Sequence, residues 1–453
     1  MDINLNSQGA IRKTQVFQAG GYNLRSAEGL RKPVDSDADV VELSEKYADE
    51  KGKIQLIVSS SRKDTLQKAE KAFARKENVV IKDKLPLING FVAEVDASSL
   101  KELLTIKPDT VNIFIDEKYK MIEDPIFTPQ PEASVMTDNA VKTLGVDKLW
   151  EKGITGKGVT IAIIDTGIYP HKDFEGRIIG FKDFVNGYKE PYDDQGHGTH
   201  VAGDCAGDGT MSGGKYMGTA PEANLVGIKS LDKHGAGRFS DIIKGIQWAV
   251  KNKEKYNIKV INMSLGGPAF ASYKEDPICQ AIEKAIDAGI IPVVAAGNSG
   301  PKASTIGSPG SDPKVLTVGA FDDKNTEATY DDEIAKFSSR GPTIDNLTKP
   351  DILSPGVNIT AATAYGSVLD THPKIPHAGK DYITISGTSM ATPIMAGIVA
   401  LAVHVKPDIT TEEVKDVFTS TAQRLPGLDA NQQGYGVVRP VKAILKILKP
   451  EEQ

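Results

Sequence analysis

From residue 138 onward the chain repeats one pattern, a short and largely apolar run followed by a stretch of helical periodicity. Residues 159–164, 225–229, 260–263 and 291–295 are runs of the first kind, and 240–253 and 277–288 are helical stretches between and after them. Such alternation constrains the chain to a parallel, doubly wound α/β domain. Sheets of this type collect reactive groups at the carboxyl ends of their strands, so the residues directly after each apolar run matter most.

At 453 residues the chain exceeds one ordinary domain. Residues 54–122 read as a small α+β unit of ferredoxin-like (split βαβ) order. A strand at 54–59 leads to a helix at 63–75 with Leu66, Ala69, Ala72 and Phe73 on one face. Strands at 79–82 and 90–95 follow around a turn at 87–90, then a second helix at 97–106 opened by Asp96 and a last strand at 111–116. Residues 1–53 are a polar extension with a short helix near 40–48, and 123–137 are an extended linker carrying three prolines. The doubly wound domain takes up 138–453.

Charge and composition exclude several classes. Lys and Arg number 54 against 60 Asp and Glu, a net charge of −6, which argues against a nucleic-acid partner. No run of about 18 apolar residues is present, so no membrane-spanning helix is expected. The polar start at Met1-Asp2-Ile3-Asn4 has no leader pattern, which favours the cytoplasm, or secretion if a leader has been removed. Cys205 and Cys279 make no disulfide framework and are expected to be free, buried thiols.

Three places set a reactive side chain among small neighbours. Asp165 ends the run Thr160-Ile161-Ala162-Ile163-Ile164 and precedes Thr166-Gly167; a buried carboxylate there needs hydrogen bonds, although alone it reads equally as a strand cap. His197 stands between Gly196 and Gly198 at a helix start, where small neighbours permit close approach of another backbone. His200, three residues on, raises a metal pair, but no HExxH pattern supplies further zinc ligands. Ser389, in Ile385-Ser386-Gly387-Thr388-Ser389-Met390-Ala391, opens the apolar helix 394–405, where N–H groups and the dipole favour negative charge. A simple N-cap serine would look the same. Asn298, in Ala295-Ala296-Gly297-Asn298-Ser299-Gly300, places an amide after a fourth apolar run, able to donate to an oxyanion.

Acid, base and nucleophile thus come in the order Asp165, His197, Ser389, the order found in subtilisin. The four segments resemble the motifs of the subtilisin-like serine proteases (subtilases), a likeness that runs through essentially the whole of 138–445. Tyr192-Asp193-Asp194-Gln195-Gly196-His197 and Phe337-Ser338-Ser339-Arg340-Gly341-Pro342-Thr343 resemble the AprX-type bacterial members most. The resemblance implies a serine endopeptidase with Asp165, His197 and Ser389 as triad, Asn298 at the oxyanion, and His200 in a structural role. It implies substrate-binding edges at Ser264-Leu265-Gly266-Gly267 and Gly235-Ala236-Gly237, and a pocket floor at Gly307 suited to broad specificity. Residues 54–122 resemble the family's inhibitory propeptide, so the chain is expected to be a zymogen that cuts itself within about 124–137.

The partners implied are polypeptide substrates and the chain's own propeptide, with no nucleic acid and no membrane. Catalysis needs no cofactor. A structural calcium stays open: Asp173 matches one ligand position, while 207–215 offers few oxygens and a lysine. The rival reading is a catalytically silent, peptide-binding pseudoprotease, against which the complete triad speaks. A cysteine nucleophile at Cys205 lacks a positioned partner.

Overall fold

The structure is a computed structural model that describes residues 23–25, 32–33, 37–100, 103, 111–120, 140–324, 326 and 331–449. The expected linker with its cleavage point therefore lies outside the described residues, as does most of the helix expected at 97–106.

The strand Thr160–Asp165 is at the centre of the large sheet. Asn224–Lys229 and Ile258–Met263 flank it in parallel, and Ile178–Asp183, Ile291–Ala295, Leu316–Asp322 and Ile352–Pro355 extend the sheet. One short strand, Glu333–Ile334, runs antiparallel at an edge. Strand periodicity explains the two layers. Ile161 and Ile163 enter the core beneath the helices His197–Ala206 and Thr388–Val405. Ala162 and Ile164 face the opposite core, against Phe239–Tyr256 and Pro277–Asp287. Both faces of the sheet are covered, which is why the runs are apolar rather than alternating.

Thr388–Val405 is long and apolar enough to cross a membrane, with mean hydropathy 1.6, but 89% of it is buried within the protein. It is a core helix. It also starts six residues before the apolar stretch that predicted it, at Thr388 rather than 394.

Among the described residues the small unit has a strand, a helix and three further strands in the expected order. Lys53–Ser60 is central, with Gly90–Asp96 and Val111–Ile115 antiparallel on either side and Val79–Leu85 beyond Gly90–Asp96. The extension is more than an appendage: Asn23–Arg25 pairs in parallel with Val111–Ile115, and Leu43 of the helix Asp37–Tyr47 is buried in the small core. Here too the strand period divides the labour. Leu56 and Val58 face the unit's own core, with Phe73 of its helix Lys63–Ala74, while Ile57, with Val92 and Phe114, packs onto Ile242, Ile246 and Ile282 of the large domain.

Candidate active site

Asp165 closes the central strand and is fully buried. Its Oδ1 accepts from Thr166 N at 2.7 Å, and His197 Nδ1 is 2.9 Å from Oδ1 and 3.1 Å from Oδ2. An ionised carboxylate only accepts, so Nδ1 carries the proton and Nε2 is left as the basic nitrogen. His197 is the first residue of its helix, and the turn before it supplies partners for the helix's free N–H groups. Asp193 accepts from Gly196 N at 2.8 Å and Thr199 N at 2.9 Å; Gln195 Oε1 accepts from His197 N, and Thr166 Oγ1 from Gly198 N. A side chain at Gly198 would place its Cβ 2.1 Å from Gly167 O. Glycine at 198 is what lets the histidine helix sit against the aspartate turn. Burial works against the charged imidazolium, yet the charge and hydrogen bond of Asp165, with Asp193 and Asp204, hold the His197 pKa above its ordinary value.

Ser389 lies in the first turn of Thr388–Val405, 9% exposed, and its hydroxyl donates to Ser264 O at 3.1 Å. Asn298 Oδ1 accepts from Thr388 N at 2.8 Å and Thr388 Oγ1 at 2.9 Å. Two donors on one amide atom settle its orientation, so Nδ2 is the end left to donate outward.

Ser389, Asn298, Gly266 and Gly307 line one cavity of about 720 Å³. Gly267 N donates to Ser308 O at 3.1 Å and Ser308 N to Gly267 O at 2.8 Å, closing the wall beside Gly307. A Cβ at Gly307 would meet Gly267 O at 2.6 Å. Among the described residues Lys120 is the one charged residue lining the cavity, and it belongs to the small unit. The strand carrying it, Lys118–Lys120, pairs antiparallel with Ala236–Arg238, Tyr119 opposite Gly237. The Tyr119 ring stacks on Phe239 at 5.3 Å and Phe270 at 6.1 Å. The chain's own strand thus occupies the edge formed by Ala236 and Gly237. Beside it, Asp116 Oδ1 accepts from Ser240 N at 3.0 Å, at the start of the helix Phe239–Tyr256.

Other residues fall elsewhere. His200 is fully buried, Nδ1 3.0 Å from Asp204 Oδ2 and Nε2 facing Ile359 O and Ile383 O at 3.2 and 3.3 Å. Both nitrogens face acceptors, so it ties strands together and does not join His197 on a metal. Among the described residues no group of three His, Cys, Asp or Glu side chains could hold a metal ion. Cys205 and Cys279 are buried and free, and burial pushes both thiols up, away from nucleophilic thiolate.

The surroundings of Asp173 do not suit calcium, which needs six to eight oxygen ligands. Its Oδ1 accepts from Met211 N at 2.9 Å and its Oδ2 from Tyr382 Oη at 2.8 Å. The nearby carbonyls already serve a cation. Arg177 donates to Ala206 O at 2.6 Å, to Ala223 O at 2.9 Å and to Asp173 O, with Asp208 Oδ2 at 3.7 Å. A guanidinium capping the end of His197–Ala206 satisfies the helix C-terminus and repels a second cation. The unfolding midpoint of the Ser389→Ala chain is therefore expected to be the same in EDTA and in millimolar calcium. Arg177→Gln should cost roughly 2–4 kcal/mol by orphaning buried carbonyls, seen as a lower midpoint in calorimetry. A midpoint that drops on chelation would sink this account.

The sequence assigns no role to Asp193, Arg177 or Lys229. Asp193 alone had a signal, as an acid shortly before a helix start.

The parallel, doubly wound sheet sets Asp165, His197 and Ser389 about the carboxyl ends of its strands, in the chain order of the subtilisin-like serine proteases. The chain belongs to the subtilase family, whose model matches residues 156–436. It is 44% identical over 383 residues to serine protease AprX of Bacillus subtilis (strain 168), covering 83% of this chain and 84% of that protein. Subtilisin DY of Bacillus licheniformis is 36% identical over 301 residues, 66% of this chain and 95% of that one. Subtilisin E of Bacillus subtilis (strain 168) is 33% identical over 362 residues, 78% and 82% of the two chains. A solved structure described as a cold adapted subtilisin-like serine proteinase aligns with a TM-score of 0.48 at 31% identity, over 63% of this chain and 88% of that one.

Proposed function

We propose that the chain is a serine endopeptidase held as an autoprocessing zymogen by its own small unit. The observation that carries this reading is the strand Lys118–Lys120, hydrogen-bonded to Ala236–Arg238 and reaching the cavity that holds Ser389. An extended peptide added to a sheet edge is how a protease binds substrate; here the peptide is the chain itself.

In the mechanism, Ser389 Oγ attacks the scissile carbonyl carbon while His197 Nε2 takes its proton. The same proton then passes to the leaving amine. Asp165 keeps His197 in the tautomer with Nδ1 protonated and stabilises the imidazolium. As the carbonyl oxygen gains charge, Asn298 Nδ2 and Ser389 N–H donate to it. Water repeats the sequence on the acyl-enzyme, and Ser389 is restored. Among the described residues, the cavity walls contributed by the large domain bear no charge, which suits large uncharged side chains before the cut and a broad substrate range.

A fluorophosphonate probe tests the reading directly. Expected is one label per chain, on Ser389, with complete loss of peptide hydrolysis. Absence of label on folded protein would favour the silent, peptide-binding alternative. Asn298→Ala should still take the label, more slowly. It should lose about 10²–10³ in kcat with KM little changed, the size of effect that loss of such an amide has in subtilisin.

A further inference from the structure

Lys229 ends the strand Asn224–Lys229, directly opposite Asp165 in the parallel register. Its side chain is fully buried, and burying an ammonium is costly unless every N–H is satisfied. All three are satisfied, by Thr166 O at 2.6 Å, Asp194 Oδ1 at 2.6 Å and Leu231 O at 2.9 Å. Those acceptors belong to three different segments. Thr166 follows Asp165, Asp194 stands three residues before His197, and Leu231 leads into the turn before the substrate edge at Ala236. The main chain after Lys229 adds to the grip, since Ser230 N and Leu231 N donate to Asp165 O at 2.9 and 3.2 Å.

We propose that Lys229 is a positioning residue for hydrolysis, holding the Asp165 turn and the His197 loop in register and balancing the acids around His197. The proposal rests on the triad reading given above. His197 is faced by Asp165, Asp193 and Asp204, all of which favour the imidazolium. Asp232, beyond Leu231, is already engaged by Lys118 of the small unit. The Tyr192 ring completes the surroundings, 5.1 Å from the ammonium. Lys229 is the buried cation on this side of the site, and Asp194, one-third exposed, sets how much of its charge is felt.

The two partners can be removed separately, and electrostatics predicts opposite consequences. In Lys229→Met the site loses its cation and keeps Asp194, so the imidazolium gains. The acid limb of the kcat/KM profile moves to higher pH, by on the order of 0.5 unit. In Asp194→Asn the ammonium is uncompensated, and the limb moves to lower pH. Displacement of the Asp165 turn should also lower kcat of Lys229→Met about 10–100-fold, more than KM rises. Rates are expressed per active site titrated with the fluorophosphonate probe, so loss of folded protein does not imitate loss of kcat.

Opposite shifts of the acid limb establish the proposal. Unmoved limbs, or limbs that move the same way, overturn it while wild type still titrates at Ser389. Failure of wild type to titrate removes the triad reading instead. Should Lys229→Met yield no titratable sites, Asp194→Asn decides alone: a downward limb supports the proposal, and an unmoved or upward limb overturns it.

Discussion

Replacing Ser389 with alanine is expected to leave the purified chain at its full 453 residues and to lower peptide hydrolysis by on the order of 10⁶-fold, the scale of losing the serine in subtilisin. The side chain is small and buried against Ser264 O, so its loss removes the nucleophile and one hydrogen bond without opening the core. Folding and docking of the small unit should survive. Intact mass measured beside wild type gives the answer: wild type should yield a large fragment beginning between residues 124 and 137. If both proteins remain uncut, self-processing is ruled out and another protease must release the small unit. If both are cut, Ser389 is not responsible.

Asp165→Asn is expected to lower kcat by on the order of 10⁴-fold while leaving the fold and the labelled fraction nearly intact. The amide can present its N–H₂ to His197 Nδ1, which then holds the wrong tautomer. The pH dependence provides a second, independent sign. Burial alone would lower the His197 pKa, and the charge and hydrogen bond of Asp165, together with Asp193 and Asp204, outweigh it. With that charge in place, the base is neutral only above its ordinary pKa of about 6.5, so the wild-type acid limb lies on the alkaline side of that value. Removing the charge should move the limb to lower pH in whatever activity remains. The same raised pKa bears on stability: the imidazolium–carboxylate pair stabilises the fold fully below about 6.5, and its contribution fades as pH rises through the raised value. An acid limb unchanged in Asp165→Asn would contradict the pairing on which the mechanism depends.

The doubly wound sheet was readable because strands covered on both faces must be apolar, and Asp165 and Asn298 stood out as polar groups where such runs end. His197 was marked by the glycines that its close approach to the Asp165 turn requires. Less of Ser389's helix was legible, because Thr388, Ser389, Thr392 and Pro393 are poor or indifferent helix formers and tertiary packing extends the helix back to them. Lys229 looked like an ordinary lysine at a strand end. Its partners Thr166 and Asp194 lie 63 and 35 residues away, and no local pattern encodes that meeting. Arg177 was hidden for the same reason, since backbone carbonyls carry no residue-type signal. In the extension, Asn23–Arg25 and Lys32–Pro33 are too short to show a period of two, so that segment read as featureless although it adds to the small sheet.

If the chain cuts itself as proposed, the pairing of Lys118–Lys120 with Ala236–Arg238 changes its meaning. Before cutting, the strand is tethered, and a short tether keeps it at an effective concentration in the millimolar range, which no competing substrate easily matches. After cutting, the same hydrogen bonds and the same Tyr119 stacking must hold a separate molecule at its bulk concentration. Occupancy of the edge then depends on dilution. A crowded preparation would stay silent and a dispersed one would become active, with no change in any contact.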